Sequence, residues 1–213
     1  MKVVDKLGMP LSGVRRSAFN LLNERVYNGS YRLVKIDQCF CGSREFKSLS
    51  RYDRFGLPFG TQMCTGCGLI ALDKMLSEND LPSFYDDIYW PLVAGGTKII
   101  HYDTSGFEAF IEPYINDDVK VVMEIGCGDG KKLELVRKLI NQKGVRLIGS
   151  DFSEQALQVA KTKGIEVLMG GLEILKTAGK ADILILSHVF EHLPNLRKAL
   201  QDISDLIHPK SKI

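Results

Sequence analysis

Four groups of residues along the chain have types and spacings that could do chemistry. The first is Glu124-x-Gly126-Cys127-Gly128-Asp129-Gly130, which closes the apolar run Val121–Ile125 and opens a helical pattern carried by Leu133, Val136, Leu139 and Ile140. A buried strand that breaks through glycines into a helix is how an open α/β sheet builds a ligand site at the carboxyl ends of its strands. The glycines let the main chain turn sharply and let a ligand approach it closely. The second group is Gly149-Ser150-Asp151, at the tip of the next apolar run (Val145, Leu147, Ile148). An acid there is where this layout holds ribose hydroxyls. The third is His188-x-x-Glu191-His192, directly after the apolar run Ile183–Leu186, and the fourth is the cysteine set Cys39-x-Cys41 and Cys64-x-x-Cys67.

Charge narrows the ligand. A dinucleotide fingerprint wants its third glycine at position 131, where this chain has Lys131. It also seats a pyrophosphate on the helix N-terminus, and Asp129 would repel that anion. Glu124 and Asp129 suit a ligand that is cationic or rich in hydroxyl donors. The plainer alternative is an ordinary strand–helix turn with spare acids.

The cysteine pairs each precede a glycine, as suits a tetrahedral four-thiolate zinc site on two tight knuckles. Closing the loop between them would staple a segment that has little core of its own. The first pair has one intervening residue instead of two, which narrows its bite, and Asp37, Asp53 or His101 could replace a thiolate. The alternative is four unligated thiols in a reducing compartment. Between the pairs, Arg51–Phe59 either packs around the knuckles or holds substrate. Arg44, Lys47, Arg51 and Arg54 are scattered among acids, which is not a nucleic-acid footprint.

Taken alone, His188-x-x-Glu191-His192 matches an inverted zinc-protease signature, which needs a helix to present both histidines. Here it follows a strand, and Pro194 stops a long helix from running through it. The end of that strand is instead where substrate would meet the bound ligand. His192 can act as a general base, with Glu191 orienting it or binding substrate. The alternative is that the pair only caps and hydrogen-bonds the loop.

These residues need elements to hold them. The 213 residues allow one large domain or two small ones, and formal charge nearly cancels at +2, which argues against a general nucleic-acid or membrane-surface binder. No stretch is long and apolar enough to span a bilayer, and the N-terminus lacks a signal-peptide core. The cytoplasm is therefore the expected location, where the five cysteines serve as metal ligands or free thiols. Residues 1–36 read as an N-terminal extension with a helix over Arg15–Val26 and a strand over Tyr31–Ile36. Residues 37–75 read as the zinc-binding module and 76–118 as a helical connector. In the connector, Phe84, Tyr85, Tyr89 and Trp90 either pack a helix or form a lid, Gly95-Gly96 adds flexibility, and Thr104–Ile115 is a helix.

From residue 119 the pattern alternates regularly. Strands fall at 120–125, 145–150, 165–168 and 181–186, and helices at 129–141, 153–163, 172–178 and 195–207, with Ser153 as an N-cap. This is an α/β, Rossmann-like doubly wound parallel sheet preceded by a small zinc-ribbon-like module. Only Lys212-Ile213 look like the start of a fifth strand, so Ile183–Leu186 would form an exposed apolar edge. The expectation is a C-terminally incomplete sheet, from a truncated chain or with an oligomer or partner chain covering that edge.

The ordered set of motifs, with Asp53-Arg-Phe-Gly-Leu-Pro58 between the cysteine pairs, resembles bacterial class I methyltransferases that use S-adenosylmethionine and carry an N-terminal four-cysteine zinc module. Some such enzymes are sugar C-methyltransferases acting on nucleotide-linked deoxysugars, and others belong to surface-polysaccharide synthesis. The resemblance implies that Glu124, Gly126, Cys127, Gly128 and Gly130 wrap the methionine part of the cofactor. It implies that Asp151 takes the ribose hydroxyls and Phe152 lies against the adenine, with Leu172 and Ser187 completing the cofactor site. Glu191 and His192 match the acid–base pair of the sugar C-methylating relatives, and Cys39, Cys41, Cys64 and Cys67 match the zinc ligands. The departures are the short first cysteine pair, Gly170-Gly171-Leu172 where an acid often contacts adenine, and the absent last strands. The expected reaction is methyl transfer to a small molecule, a sugar by this likeness, with no nucleic-acid or membrane partner. The rival expectation is a zinc-knuckle scaffold that keeps an inactive methyltransferase-like half.

Overall fold

A computed structural model of the chain describes residues 11, 13–53, 55–94, 104–140, 144–193 and 195–213. Arg54, Gly95, Gly96, His101, Pro194 and the side chain of Trp90 lie outside the described residues. The chain divides into two compact units, Met1–Ile100 and His101–Ile213.

The first unit begins with α1 (Gly13–Tyr27), whose Ala18 and Leu22 are buried. Strand β1 (Leu33–Lys35) pairs antiparallel with β5 (Lys74–Leu76). Strands β2 (Phe46–Ser50), β3 (Thr61–Cys64) and β4 (Ile70–Leu72) form a separate antiparallel sheet. Helices α2 (Leu81–Phe84) and α3 (Trp90–Ala94) flank a π turn over Tyr85–Tyr89. One core joins these pieces: Leu22, Tyr31, Phe55, Leu57, Phe59, Leu76, Ile88 and Leu92. Phe55, Leu57 and Phe59 thus pack, with Asp53 Oδ1 accepting the N–H groups of Phe55 and Leu57, 2.8 Å each. Phe84, Tyr85 and Tyr89 stack on one another, with Tyr85 and Tyr89 5.1 Å apart and edge-on. The Arg25 guanidinium ties α1 to this region by donating to Tyr31 Oη at 2.6 Å and pairing with Asp87 at 2.8 Å.

The second unit opens with α4 (Ser105–Ile111) and then alternates: β6 (Val121–Ile125), α5 (Lys131–Leu139), β7 (Arg146–Asp151), α6 (Glu154–Thr162), β8 (Glu166–Met169), α7 (Leu172–Leu175), β9 (Ala181–Leu186), α8 (Leu196–Leu206) and β10 (Ile207–Lys212). The sheet order is β10-β9-β6-β7-β8 and every pairing is parallel. One sheet face buries Val122, Leu147, Ile183 and Ile185 against Leu133, Val136, Leu157 and Ala160. The other buries Met123, Ile125, Ile148 and Leu184 against Leu172, Leu175, Ala199, Ile203 and Leu206. Two-sided burial explains why these strands read as unbroken apolar runs. Ser153 Oγ caps α6 by accepting the Ala156 N–H at 3.3 Å, as its sequence position predicts.

The fifth strand begins earlier than expected. The helix predicted to reach residue 207 stops at Leu206, and Ile207–Lys212 forms a fifth strand beside β9. Its register runs from Ala181 to Ile183, so it covers the first half of β9. The sequence Ile-His-Pro-Lys-Ser-Lys hides this strand because it has no apolar alternation and contains Pro209. An outer strand tolerates proline because one side needs no ladder donor. Side chains reinforce the pairing: Ser211 Oγ donates to the Ala181 carbonyl at 2.6 Å, and His208 Nε2 meets Asp182 Oδ1 at 2.9 Å. Asp182 Oδ2 also accepts the N–H groups of Lys120 and Val121, at 2.8 Å each, and so links the start of β9 to β6 and β10. Among the described residues, no helix is long and apolar enough to cross a membrane.

Candidate active site and cysteine cluster

The chain leaves β6 toward β7 and β8 on one side and later returns to β9 on the other. The reversal falls between β6 and β9, where open α/β sheets open a crevice beyond the strand ends. Ile125 is in register with Leu186, so Gly126 and Ser187 begin their loops side by side. A Cβ on Gly126 would lie 2.6 Å from Val189 Cγ2, so the loop carrying His188–His192 packs directly on the glycine turn.

The turn itself is left-handed at Gly126, Gly128 and Gly130, with φ of 64°, 53° and 76°. Gly130 is enclosed, since a Cβ there would lie 2.3 Å from Ile165 Cδ1. Gly128 is the reverse case: nothing lies within 4 Å of where its Cβ would be. Its bare main chain faces open space, as a close-approaching ligand requires. Asp151 reaches over from β7 and clamps the turn, its Oδ2 accepting the Gly128 N–H and its Oδ1 the Ser153 N–H, both at 2.8 Å. Phe152 lies over Gly171, whose Cβ would be 3.4 Å from Phe152 Cζ.

Glu124 is 1% exposed beneath the turn. Lys132 Nζ sits 3.4 Å from its Oε1, and Oε2 is buried without a hydrogen-bond partner. Burial pushes its pKa up to about 8; Lys132 opposes the shift, while Asp151 and Asp129 add to it. Asp129 is engaged within the protein. Its Oδ2 pairs with Lys163 at 3.0 Å and its Oδ1 accepts the Lys131 N–H at 3.2 Å. With Asp129 paired and burial favouring the neutral form of Glu124, the negative charge of the turn rests mainly on Asp151. The buried Cys127 lies under it, filling the space left by the missing side chain of Gly149.

The other predicted positions divide. Ser187 is partly buried at the end of β9. Leu172 turns its side chain into the core with Met123 and Leu175. Glu191 and His192 lie exposed on a 3-10 turn over Phe190–His192, so the histidine motif falls on a strand end and a single turn, not on a long helix. Glu191 pairs with His188 Nδ1 at 3.5 Å. His188 holds φ of 56°, the one left-handed non-glycine among the described residues. A side chain in that region marks a constrained loop. Lys132 and Lys163 escaped the sequence reading because a lysine in a first helical turn, or at a helix end, looks solvated.

In the first unit the four cysteines converge. Their sulfur atoms all lie within 4.8 Å of one another, with Cys39–Cys67 and Cys41–Cys64 each 3.6 Å apart. A tetrahedral ion with bonds of about 2.3 Å to sulfur sets its ligands about 3.8 Å apart, so this set could hold zinc. The one-residue bite of the first pair is accommodated by a tight turn, with the Gly42 N–H donating to the Cys39 carbonyl at 2.8 Å and Gly42 at φ 93°. The second knuckle repeats this with Gly68 donating to Cys64 at 2.9 Å. Burial works against charging Cys64, but the N–H groups of Cys67 and Gly66 and the neighbouring thiols hold its pKa down to about 6. Asp37 instead pairs with Arg44 at 3.5 Å, and Asp53 serves its own turn.

The chain is 28% identical over 149 residues to a ubiquinone biosynthesis O-methyltransferase of Coxiella burnetii, a match covering 66% of this chain and 62% of that protein. It is 25% identical over 158 residues to the C-methyltransferase NovU of Streptomyces niveus, covering 71% of this chain and 36% of that protein. It thus spans about three fifths or less of the length of these relatives. Among solved structures, the plantazolicin methyltransferase BamL, in complex with a triazolic desmethylPZN analog and SAH, is 24% identical, with a TM-score of 0.41 over 48% of this chain and 41% of that one. A family model described as a methyltransferase domain matches residues 100–213, which hold the whole five-stranded parallel sheet and its glycine turn. The chain belongs to the methyltransferase-domain family.

Proposed function

We propose that the second unit binds S-adenosylmethionine at the Gly126–Gly130 turn and transfers its methyl group to a small-molecule acceptor, a nucleotide-linked sugar in the finer reading. The observation that carries this is the clamp between Asp151 and Gly128, with open space over Gly128 and the orphaned Glu124 Oε2 below. When bound, the cofactor supplies a methyl group on a sulfonium that already carries its leaving group. The chain's part is then chiefly alignment and exclusion of water. Asp151, held by the N–H groups of Gly128 and Ser153, would accept ribose hydroxyls at its carboxylate. Phe152 offers its ring to the base, and the main chain at Gly128 offers close approach.

At the end of β9, His192 would take a proton from an acceptor carbon or un-ionised hydroxyl, with Glu191 orienting acceptor or base. Glu191 and His192 stand on the loop that Val189 seats against Gly126, which supports their placement beside a cofactor bound at the turn. The sugar reading rests on the likeness to zinc-module sugar C-methyltransferases and on the convergence of the four cysteines, which we assign to one structural zinc ion.

Titration calorimetry with S-adenosylmethionine and its demethylated product tests the cofactor assignment. Micromolar binding that weakens at least tenfold in Asp151→Ala is the expected result. No binding by a well-folded sample would favour the scaffold alternative. Incubation with radiolabelled cofactor and a panel of nucleotide-linked deoxysugars, alongside free hydroxylated acceptors, tests the sugar reading.

A further inference from the structure

The wall proposed for the cofactor's base and the loop proposed for the acceptor leave strands that are not neighbours. Strands β6 and β7 lie between β8, which is followed by Gly170-Gly171, and β9, which is followed by the His188–His192 loop. Sheet hydrogen bonds therefore do not set the distance between the two loops directly. The next helices can, because α7 and α8 pack over the same sheet face through Leu172, Leu175, Ala199 and Ile203. Among the described residues, five charged side chains join those helices: Glu173, Lys176, Lys198, Asp202 and Asp205. Asp202, 5% exposed, accepts Lys176 at 2.5 Å and Lys198 at 2.7 Å. Burial works against its charge, but the two ammonium groups hold its carboxyl below the usual range. Lys176 also reaches Asp205, at 2.9 Å. Lys198, in the first turn of α8, pairs with Glu173 in the first turn of α7. Its own N–H is held by Asn195 Oδ1 at 3.0 Å, where the β9 loop ends. Glu173 Oε2 stands 3.6 Å from where Gly171 would carry a Cβ, and the Phe152 ring borders the same spot. One lysine thus joins the end of one loop to the side chain beside the other.

We propose that Lys198 is a positioning residue that holds the acceptor loop at a fixed span from the base-side wall, with Glu173 and Asp202 as its anchors. An ion pair as exposed as Lys198–Glu173 contributes little to stability by itself. Its use is geometric: with Lys198 pinned by the buried Asp202, the pair sets how far the start of α8 stands from Gly171. A nucleoside seated against Phe152 is then felt at residues 190–192 through the starts of two packed helices. This inference rests on the reading that the second unit binds S-adenosylmethionine.

Calorimetry and amide exchange of the full chain with the demethylated product of S-adenosylmethionine read the two loops separately. In the wild type, ligand binding should slow exchange across Phe190–His192. Lys198→Met should weaken binding about tenfold and reduce that slowing about fivefold. Lys198→Arg keeps the charge and should restore both. Glu173→Ala removes only the bridge to α7 and should give the same pattern, so the test survives a Lys198→Met variant that does not fold. Lys176→Met severs the other contact to Asp202 but touches neither loop. It should lower the melting temperature while affinity and protection stay at wild-type values. Wild-type affinity and protection in a Lys198→Met or Glu173→Ala protein that merely melts earlier would overturn the inference and leave the cofactor reading standing. Binding by the wild type without any slowing at residues 190–192 would do the same, as would equal losses in Lys176→Met and Lys198→Met. Absence of binding by folded wild-type protein would overturn both readings.

Discussion

Asp151 and Gly128 are joined by a 2.8 Å hydrogen bond that runs from the tip of one strand to the bare main chain of the neighbouring strand's turn. The carboxylate that would receive ribose hydroxyls is thereby also the brace of the loop that would receive the methionine part. Removing it acts on both. Asp151→Asn keeps the volume but replaces one accepting oxygen with a donor, leaving one of two main-chain N–H groups without its acceptor. We expect affinity for S-adenosylmethionine to fall 10- to 100-fold and unfolding free energy to drop by about 1–2 kcal/mol. Calorimetry and urea denaturation read the two effects separately.

The glycines of the turn should separate by role. Gly130→Ala places a methyl group 2.3 Å from Ile165 Cδ1 at a left-handed φ, and should cost about 2–4 kcal/mol of stability. Gly128→Ala meets no atom within 4 Å, so it should cost only about 1 kcal/mol from its backbone angle. Its methyl group stands where the ligand would approach. Denaturation should therefore single out position 130, and binding should single out position 128 among variants that still fold.

Buried Glu124 gives stability a pH dependence of known sign. Its folded-state pKa, about 8, lies above its ordinary value of 4.5. The folded protein therefore binds more protons than the unfolded chain between those values, and stability falls as pH rises from about 4.5 toward 8. The loss from this one group is on the order of 4 kcal/mol. Glu124→Gln should lose less over the same range, so the two unfolding curves should draw apart as pH rises. Parallel curves from pH 5 to 8.5 would contradict the assignment of a buried, protonated carboxyl.

The cysteine cluster should hold metal in a fixed ratio. Elemental analysis of protein purified without chelator should find about one zinc per chain, and Cys64→Ser should remove it. Because β3 and both knuckles depend on that closure, metal removal should lower the melting temperature of the first unit while leaving the parallel sheet intact. Circular dichroism with and without a strong chelator checks this, and a metal-free sample with wild-type melting would refute the site.

The outer strand should be held by its side chains. Asp182→Asn weakens the acceptor shared by Lys120, Val121 and His208, and we expect a loss of about 1–3 kcal/mol. Amide exchange should quicken first in Ile207–Lys212.

What the sequence discloses depends on whether physics acts locally. Strands β6, β7 and β9 are legible because burial on both faces demands continuous apolar residues. The α6 cap is legible because Ser153 sits one residue before a helical pattern. The glycine turn and Asp151 are legible because a close-approaching ligand restricts residue type at fixed spacing. Strand β10 is not, since its pairing is enforced by Asp182, His208 and Ser211, which meet only after the sheet is assembled. The Lys163–Asp129 and Lys132–Glu124 pairs are hidden for the same reason. They join positions 34 and 8 residues apart whose approach is set by helix packing on the sheet. The cysteine spacing of the first pair looked too narrow, but the turn at Gly42 swings both thiols inward.

Strand β9 is bolted at one end and loose at the other. Its amino end is fastened through Asp182 to two neighbours, and its carboxyl end passes into an exposed loop seated by Val189 and Leu193. Residues 190–192 can thus be exchanged without disturbing the floor of the molecule. On the proposed function, redrawing that one short turn would change the acceptor while the cradle for the shared reagent stays as it was.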